Sequence, residues 1–296
     1  MSFQGTFTGL WVALATPFTE AGEVDLPAFR RLVAHVGAGG ADGVVVLGST
    51  GEAATLLDDE RDGLVEACLQ AAGSMGVVVG TGSNATRQAA AWTRRAQAQG
   101  AHGALVVTPY YNKPTPGGLA AHYAAVAEAA PGLPLIAYNV PGRTGLNLAP
   151  AALAALWENP QVVAVKESSG NLAQIAEIAR TLPAGKRLLS GDDNLALASI
   201  AVGASGLVSV LGNAVPRETA ALVAAALEGR RREAIALHQE LLPLMDALFL
   251  ESNPIPLKAA LEILGLCGPG LRLPLTPASR ATRERLAQLL PAGGAR

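Results

Sequence analysis

The sequence predicts an α/β protein, a (β/α)8 TIM barrel with a C-terminal helical appendage. Short β-branched apolar runs alternate with Ala/Leu-rich helical stretches along most of the chain, the pattern of βαβ units around a parallel sheet. The runs start at intervals of roughly 20 to 35 residues, which suits a strand, a helix and two short loops. Their apolar residues are continuous rather than alternating, as strands covered on both faces must be. Eight regular units close naturally into a barrel. An open doubly wound sheet is the alternative, and the regularity weighs against it.

In chain order the strands fall at 10–15, 43–47, 77–80, 104–108, 134–139, 162–166, 187–190 and 206–210. Helical patterns between them include 26–37, 58–72, 86–99, 118–129 and 172–182. Asp58 and Asn84 stand where N-caps belong, and Gly100, Gly103 and Gly132 punctuate helix ends. A helix at 216–227 ends the last unit, so residues 1–228 form the barrel domain. Residues 229–296 read as helices broken at Gly229, 253–256 and 267–277, a C-terminal extension packed on the barrel rather than a second folding unit.

Composition narrows the function classes. The 296 residues are 50% hydrophobic and 16% charged, which supports a large core and excludes disorder. A net charge of −2 gives no long-range field to attract nucleic acid or anionic lipid. Cys68 and Cys267 lie far apart, excluding a disulfide scaffold and a Cys-based metal cluster. The opening MSFQGTFTGL lacks a basic stretch before an apolar core, so it does not read as a secretory signal. No apolar run approaches the roughly 18 residues of a spanning helix. A soluble cytoplasmic protein is expected. Of 22 basic residues only Lys113, Lys166, Lys186 and Lys258 are lysines, a scarcity that codon bias explains but that draws attention to each.

Polar clusters fall at the predicted strand ends, where a barrel of this kind carries its chemistry. Strand two leads into Gly48-Ser49-Thr50-Gly51-Glu52, strand four into Thr108-Pro109-Tyr110-Tyr111-Asn112 and strand five into Tyr138-Asn139-Val140-Pro141-Gly142-Arg143. Strand six gives Lys166-Glu167-Ser168-Ser169-Gly170 and strand seven Ser190-Gly191-Asp192-Asp193. An ammonium at the end of an apolar strand is costly to desolvate, which favours the neutral amine, and a neutral amine attacks carbonyls to form Schiff bases. Lys166 is therefore either a nucleophile or a structural lysine paired with a carboxylate. Lys186 and Lys258 look like surface or helix residues, and Lys113 sits in a loop. Phenols such as Tyr138 and Tyr111 are candidate acid–base groups, and Ser49 or Thr50 could bridge them. The glycines around Ser49 and Thr50 would let backbone N–H groups approach a carboxylate.

Two other patterns carry less. Gly80-Thr81-Gly82-Ser83-Asn84-Ala85 mimics a dinucleotide fingerprint, but no acidic residue closes the next strand. Asp192-Asp193 suggests a divalent metal, but the four histidines are scattered without ligand spacing. Neither a metal nor a Ser/His/Asp triad is expected.

Taken together, GSTGE, TPYYNKP, YNVPGRTG, VKESSG, SGDD and NPIPLK resemble the dihydrodipicolinate synthase family. That family belongs to the pyruvate-dependent class I aldolase superfamily, which also holds N-acetylneuraminate lyase. The resemblance runs in order from about Gly9 to Pro277. It implies a Schiff base between Lys166 and pyruvate, proton transfer by Tyr138 relayed through Ser49 to Tyr111, and no cofactor. Tyr111 would reach the neighbouring site across a tight dimer interface, within a homotetramer of two such dimers. Thr50 would clamp the pyruvate carboxylate, the backbone of Gly191 and Val208 would line the pocket, and Arg143 would hold the carboxylate of the second substrate.

The same resemblance implies condensation with L-aspartate 4-semialdehyde in lysine and diaminopimelate biosynthesis. Arg143 and TPYYNKP favour it. Ser49-Thr50, where the family more often has Thr-Thr, keeps open a lyase acting on a sugar acid, N-acetylneuraminate or 4-hydroxy-2-oxoglutarate. A non-catalytic keto-acid-binding barrel is the third alternative. At the positions where feedback-inhibited relatives bind lysine, this chain has Asp58, Arg61, Gln88, Asn84 and Tyr110. The missing glutamate and the added arginine imply weak or absent lysine inhibition.

Overall fold

The structure is a computed structural model that describes residues 6–291. The first five residues of the opening stretch and the last five of the C-terminal extension lie outside the described residues. Eight strands pair in parallel with their sequence neighbours, and β8 pairs with β1 to close the barrel. They are β1 (Gly9–Ala13), β2 (Gly43–Val46), β3 (Gly76–Gly80), β4 (Gly103–Val107), β5 (Leu135–Asn139), β6 (Val162–Glu167), β7 (Arg187–Ser190) and β8 (Gly206–Ser209). Around them run α1 (Leu26–Ala38), α2 (Asp58–Ala71), α3 (Thr86–Gln99), α4 (Pro116–Ala129), α5 (Pro141–Thr144), α6 (Pro150–Trp157), α7 (Leu172–Thr181), α8 (Ala196–Ala201) and α9 (Pro216–Leu227). Three further helices follow, α10 (Arg231–Ala247), α11 (Ile255–Ile263) and α12 (Arg280–Leu289).

Burial on both strand faces explains the unbroken apolar runs. Trp11, Val45, Val78, Leu105, Ile136, Ala164 and Leu189 fill the barrel interior. Their chain neighbours Val12, Val44 and Val77 pack outward with α1, α2 and α9, and Ala104, Leu135 and Val165 with α4, α6 and α7. Leu244, Leu257, Leu261 and Leu286 of the last three helices join the first of these outer clusters. The C-terminal helices therefore share buried surface with the barrel.

Several boundaries differ from the sequence reading. Asp58 is the first helical residue of α2, and Leu57 is its N-cap; Ala85, not Asn84, caps α3. The Asp58 carboxylate instead accepts from Trp92 Nε1 at 2.9 Å and pairs with Arg95 at 3.0 Å. Gly100 caps α3 in the left-handed region at φ 93°, whereas Gly103 opens β4 rather than ending a helix. Helix α4 starts two residues early because Thr115 caps it and Pro116 is tolerated in a first turn.

Candidate active site

Polar side chains collect at the C-terminal ends of the strands, around a cavity of about 270 Å³ lined by Ser49, Tyr110, Tyr138 and Arg143, among others. Lys166 sits on the inward face near the end of β6, 5% exposed and beside Tyr138 in the β5–β6 register. Its Nζ lies 4.2 Å from the centroid of the Tyr138 ring. Among the described residues this amine makes neither a hydrogen bond nor an ion pair. The adjacent Glu167 faces the other way and is fully buried, accepting from Asn139 Nδ2 at 2.9 Å and from the Ser169 N–H at 2.8 Å. Strand alternation thus separates the carboxylate from the amine it follows.

The other lysines are spent differently. Lys186 donates to the carbonyl of Val162 at 2.6 Å, and Lys113 is exposed in its loop. Lys258, read from the sequence as a surface or helix residue, lies in α11 but is fully buried and pairs with Glu52 Oε1 at 2.7 Å. The structural lysine paired with a carboxylate is Lys258, not Lys166.

Ser49, Thr50 and Gly51 form a single helical turn after β2. The turn is closed by bonds from the Gly51 N–H to the Gly48 carbonyl and from the Glu52 N–H to the Ser49 carbonyl. The residues bracketing this segment, Leu47 and Glu52, have left-handed φ values of 61° and 52°. Each such residue costs roughly 1–2 kcal/mol for an L-amino acid, so the turn is held by contacts rather than propensity. Gly80 makes room for it: a Cβ there would lie 2.0 Å from the Leu47 carbonyl oxygen. This close approach accounts for a glycine that mimicked a nucleotide motif.

Arg143 lies in α5 and donates from Nη2 to the Asn253 carbonyl at 2.9 Å. Asn253 Nδ2 in turn donates to Thr50 Oγ1 at 3.0 Å. Gly191 packs against the lysine stem, since a Cβ there would lie 2.8 Å from Lys166 Cε, and Val208 is buried in the barrel interior with Tyr138. Asp192 follows Gly191, and burial pushes its carboxyl up to about 6; Asp193 and Glu167 add to the rise while Lys166 and Ser168 oppose it. Asp193 is buried and accepts from the Ser209 hydroxyl and from the N–H groups of Val210 and Leu211. These bonds tie the turn after β8; among the described residues there is no group of three or more His, Cys, Asp or Glu that could hold a metal ion.

Lys166, Tyr138, Ser49, Thr50, Arg143, Gly191 and Val208 therefore converge at one end of the barrel. Tyr111 does not: it is 89% exposed with φ 71°, outside the cavity. Arg61 and Tyr110 line the same cavity as Ser49, while Asp58, Asn84 and Gln88 do not. Arg61 is buried, stacks 3.9 Å from the Trp92 ring and donates to the carbonyls of Ala53 and Gly80. Burial lowers its guanidinium to about 10. The sequence reading missed the roles of Asn253, Glu52 and Lys258 as site supports, although GSTGE and NPIPLK contain all three.

Comparison with known proteins agrees with this geometry. The profile of the dihydrodipicolinate synthetase family matches residues 6–292. A 4-hydroxy-tetrahydrodipicolinate synthase of Thermomicrobium roseum is 49% identical over 279 residues, covering 94% of this chain and 92% of its own. The crystal structure of dihydrodipicolinate synthase from Aquifex aeolicus superposes with a TM-score of 0.92 at 44% identity, over 96% of this chain and 97% of its own. A monomeric dihydrodipicolinate synthase variant superposes with a TM-score of 0.93 at 39% identity, over 96% of this chain and 95% of its own. With a barrel of this topology, these strand-end residues and a profile match over nearly its whole length, the chain belongs to the dihydrodipicolinate synthetase family.

Proposed function

We propose that the protein condenses pyruvate with L-aspartate 4-semialdehyde to 4-hydroxy-tetrahydrodipicolinate, in the cytoplasm, for lysine and diaminopimelate biosynthesis. One observation carries this reading. Lys166 is the buried lysine whose amine has no hydrogen bond or ion pair among the described residues, and it lies against the Tyr138 ring.

The Lys166 amine attacks the ketone carbon of pyruvate, and the carbinolamine loses water to give a protonated imine. The imine is an electron sink, so a methyl proton leaves and an enamine forms. The enamine carbon attacks the semialdehyde carbonyl, forming the C–C bond while the aldehyde oxygen takes up a proton. The substrate's own amine then adds to the imine carbon and expels Lys166, closing the ring. Tyr138, relayed through Ser49 to Tyr111 of a partner subunit, moves the protons. The water lost at the first step is the net by-product, and no cofactor enters because the imine is made from the protein itself.

Thr50 and the N–H groups of Ser49 and Thr50, which have no acceptor among the described residues, suit the pyruvate carboxylate. The backbone of Gly191 and Val208 closes the pocket around it. Arg143 offers a guanidinium fork to the second carboxylate. The barrel of residues 1–228 carries the reacting groups, and the extension 229–296 supports them through Asn253.

Borohydride reduction in the presence of pyruvate tests the reading. A covalent adduct mapped to Lys166 is expected, and folded protein without one would leave a barrel that only binds keto acids. Pyruvate offered with each candidate aldehyde then separates the synthase from the sugar-acid and 4-hydroxy-2-oxoglutarate lyases.

A further inference from the structure

We infer that the buried Glu52–Lys258 ion pair is a positioning device that locks the Ser49–Gly51 turn against helix α11. The inference rests on the proposed role of Ser49 and Thr50 in handling pyruvate. Leu47 and Glu52 bracket the turn in left-handed conformations that neither side chain favours, and such strain persists only where surrounding structure over-determines it. The contacts that over-determine it can be named. Thr16 Oγ1 donates to the Gly51 carbonyl at 2.7 Å, and Asn253 Nδ2 donates to Thr50 Oγ1 at 3.0 Å. Glu52 accepts from Lys258 Nζ at 2.7 Å through Oε1 and from the Arg272 N–H at 3.1 Å through Oε2. Lys258 Nζ also lies 4.1 Å from the Phe18 ring centroid, which fixes the ammonium from a second side.

The pair's burial argues against a role in stability alone. The side chains are 0% and 1% exposed, and at such sites two apolar residues of similar volume commonly hold a fold as well or better. What apolar residues cannot supply is direction. A carboxylate held by two donors from the C-terminal segment fixes the orientation of the Glu52 backbone, and hence the placement of the Ser49 and Thr50 hydroxyls.

The test compares wild type with Glu52→Gln, which leaves Lys258 buried without its charge partner, and with the double variant Glu52→Met/Lys258→Met, which fills the same volume with apolar side chains and whose fold is checked by its thermal melt. Amide hydrogen exchange at Gly51 and Glu52, whose N–H groups close the turn, needs no substrate. We expect it to accelerate at least tenfold in the double variant while the exchange of β3–β6 is unchanged. The rate of pyruvate adduct formation on Lys166 should fall on the order of tenfold to a hundredfold in both variants, with no recovery in the double variant despite restored thermal stability. Unchanged exchange at Gly51 and Glu52 would overturn the inference. So would a double variant that regains both stability and wild-type adduct rate, because the pair would then be a structural support only. If wild type forms no adduct while exchange still accelerates, the catalytic reading fails and the positioning of the turn stands.

Discussion

Two of the four lysines, Lys166 and Lys258, are buried and a third, Lys186, is partly so, and their surroundings separate them. Lys258 is paired with a carboxylate and Lys186 donates to carbonyls, whereas Lys166 has an aromatic face and an open amine. Position along a strand placed Lys166 at the barrel mouth, but only its neighbours separate an open amine from a paired one. The Asp192 carboxyl, beside it, is raised to about 6 mainly by burial. A raised carboxyl pKa means that its protonated form is favoured in the fold. The resulting stability is complete below about pH 4 and is lost as pH rises through about 6. Two units correspond to at most about 3 kcal/mol, less where solvent reaches the group. Asp192→Asn keeps the shape without the charge, so it should be more stable than wild type at pH 8, with the advantage disappearing near pH 4. Denaturant melts at both pH values would measure this, and a gap independent of pH would contradict it.

At the level of elements, local pattern was a good guide wherever an element carried its own signal. Helices α3 and α9 and strand β7 coincide with the sequence reading, because amphipathic spacing or an apolar run with clear punctuation marks each one. Helices α6 and α8 carry no such signal in the sequence. The first is Ala and Leu on nearly every side, and the second is six residues long, too short for a 3.6-residue period to register. Asp58 does not cap α2 because its carboxylate is drawn to Trp92 and Arg95 on the neighbouring helix. That pairing of α2 with α3 also bears on regulation. Asp58 is already engaged, and the buried Arg61 occupies the cavity wall with its cation against Trp92. A lysine ammonium entering here meets a like charge, and no carboxylate stands among the described residues that line the cavity. Steady-state assays with added L-lysine should show no inhibition in the submillimolar range.

At the scale of the whole molecule, the exposure of Tyr111 is an assembly question. A large aromatic side chain 89% exposed, in a strained backbone conformation beside Tyr110, suits a proposed role in a partner's site within a tight dimer. Lys166→Ala and Tyr111→Phe variants should each be nearly inactive. Co-expression should restore about a quarter of wild-type activity, since half of randomly paired dimers are mixed and each mixed dimer has one complete site. Absence of complementation, or sedimentation of a fully active monomer, would reject shared sites. By itself the sequence determined the barrel, most of its element boundaries and the polar strand ends that gather into the candidate site, because strand and helix periodicity and short motifs are local properties. Only the tertiary structure decided which buried lysine is free of a carboxylate, that Tyr111 lies apart from the other candidate residues, and that Glu52 and Asn253 join the barrel to its C-terminal segment. Glu52 and Lys258 are 206 residues apart in the chain, and no local pattern encodes a contact that exists only once the barrel has closed and α11 has packed against it.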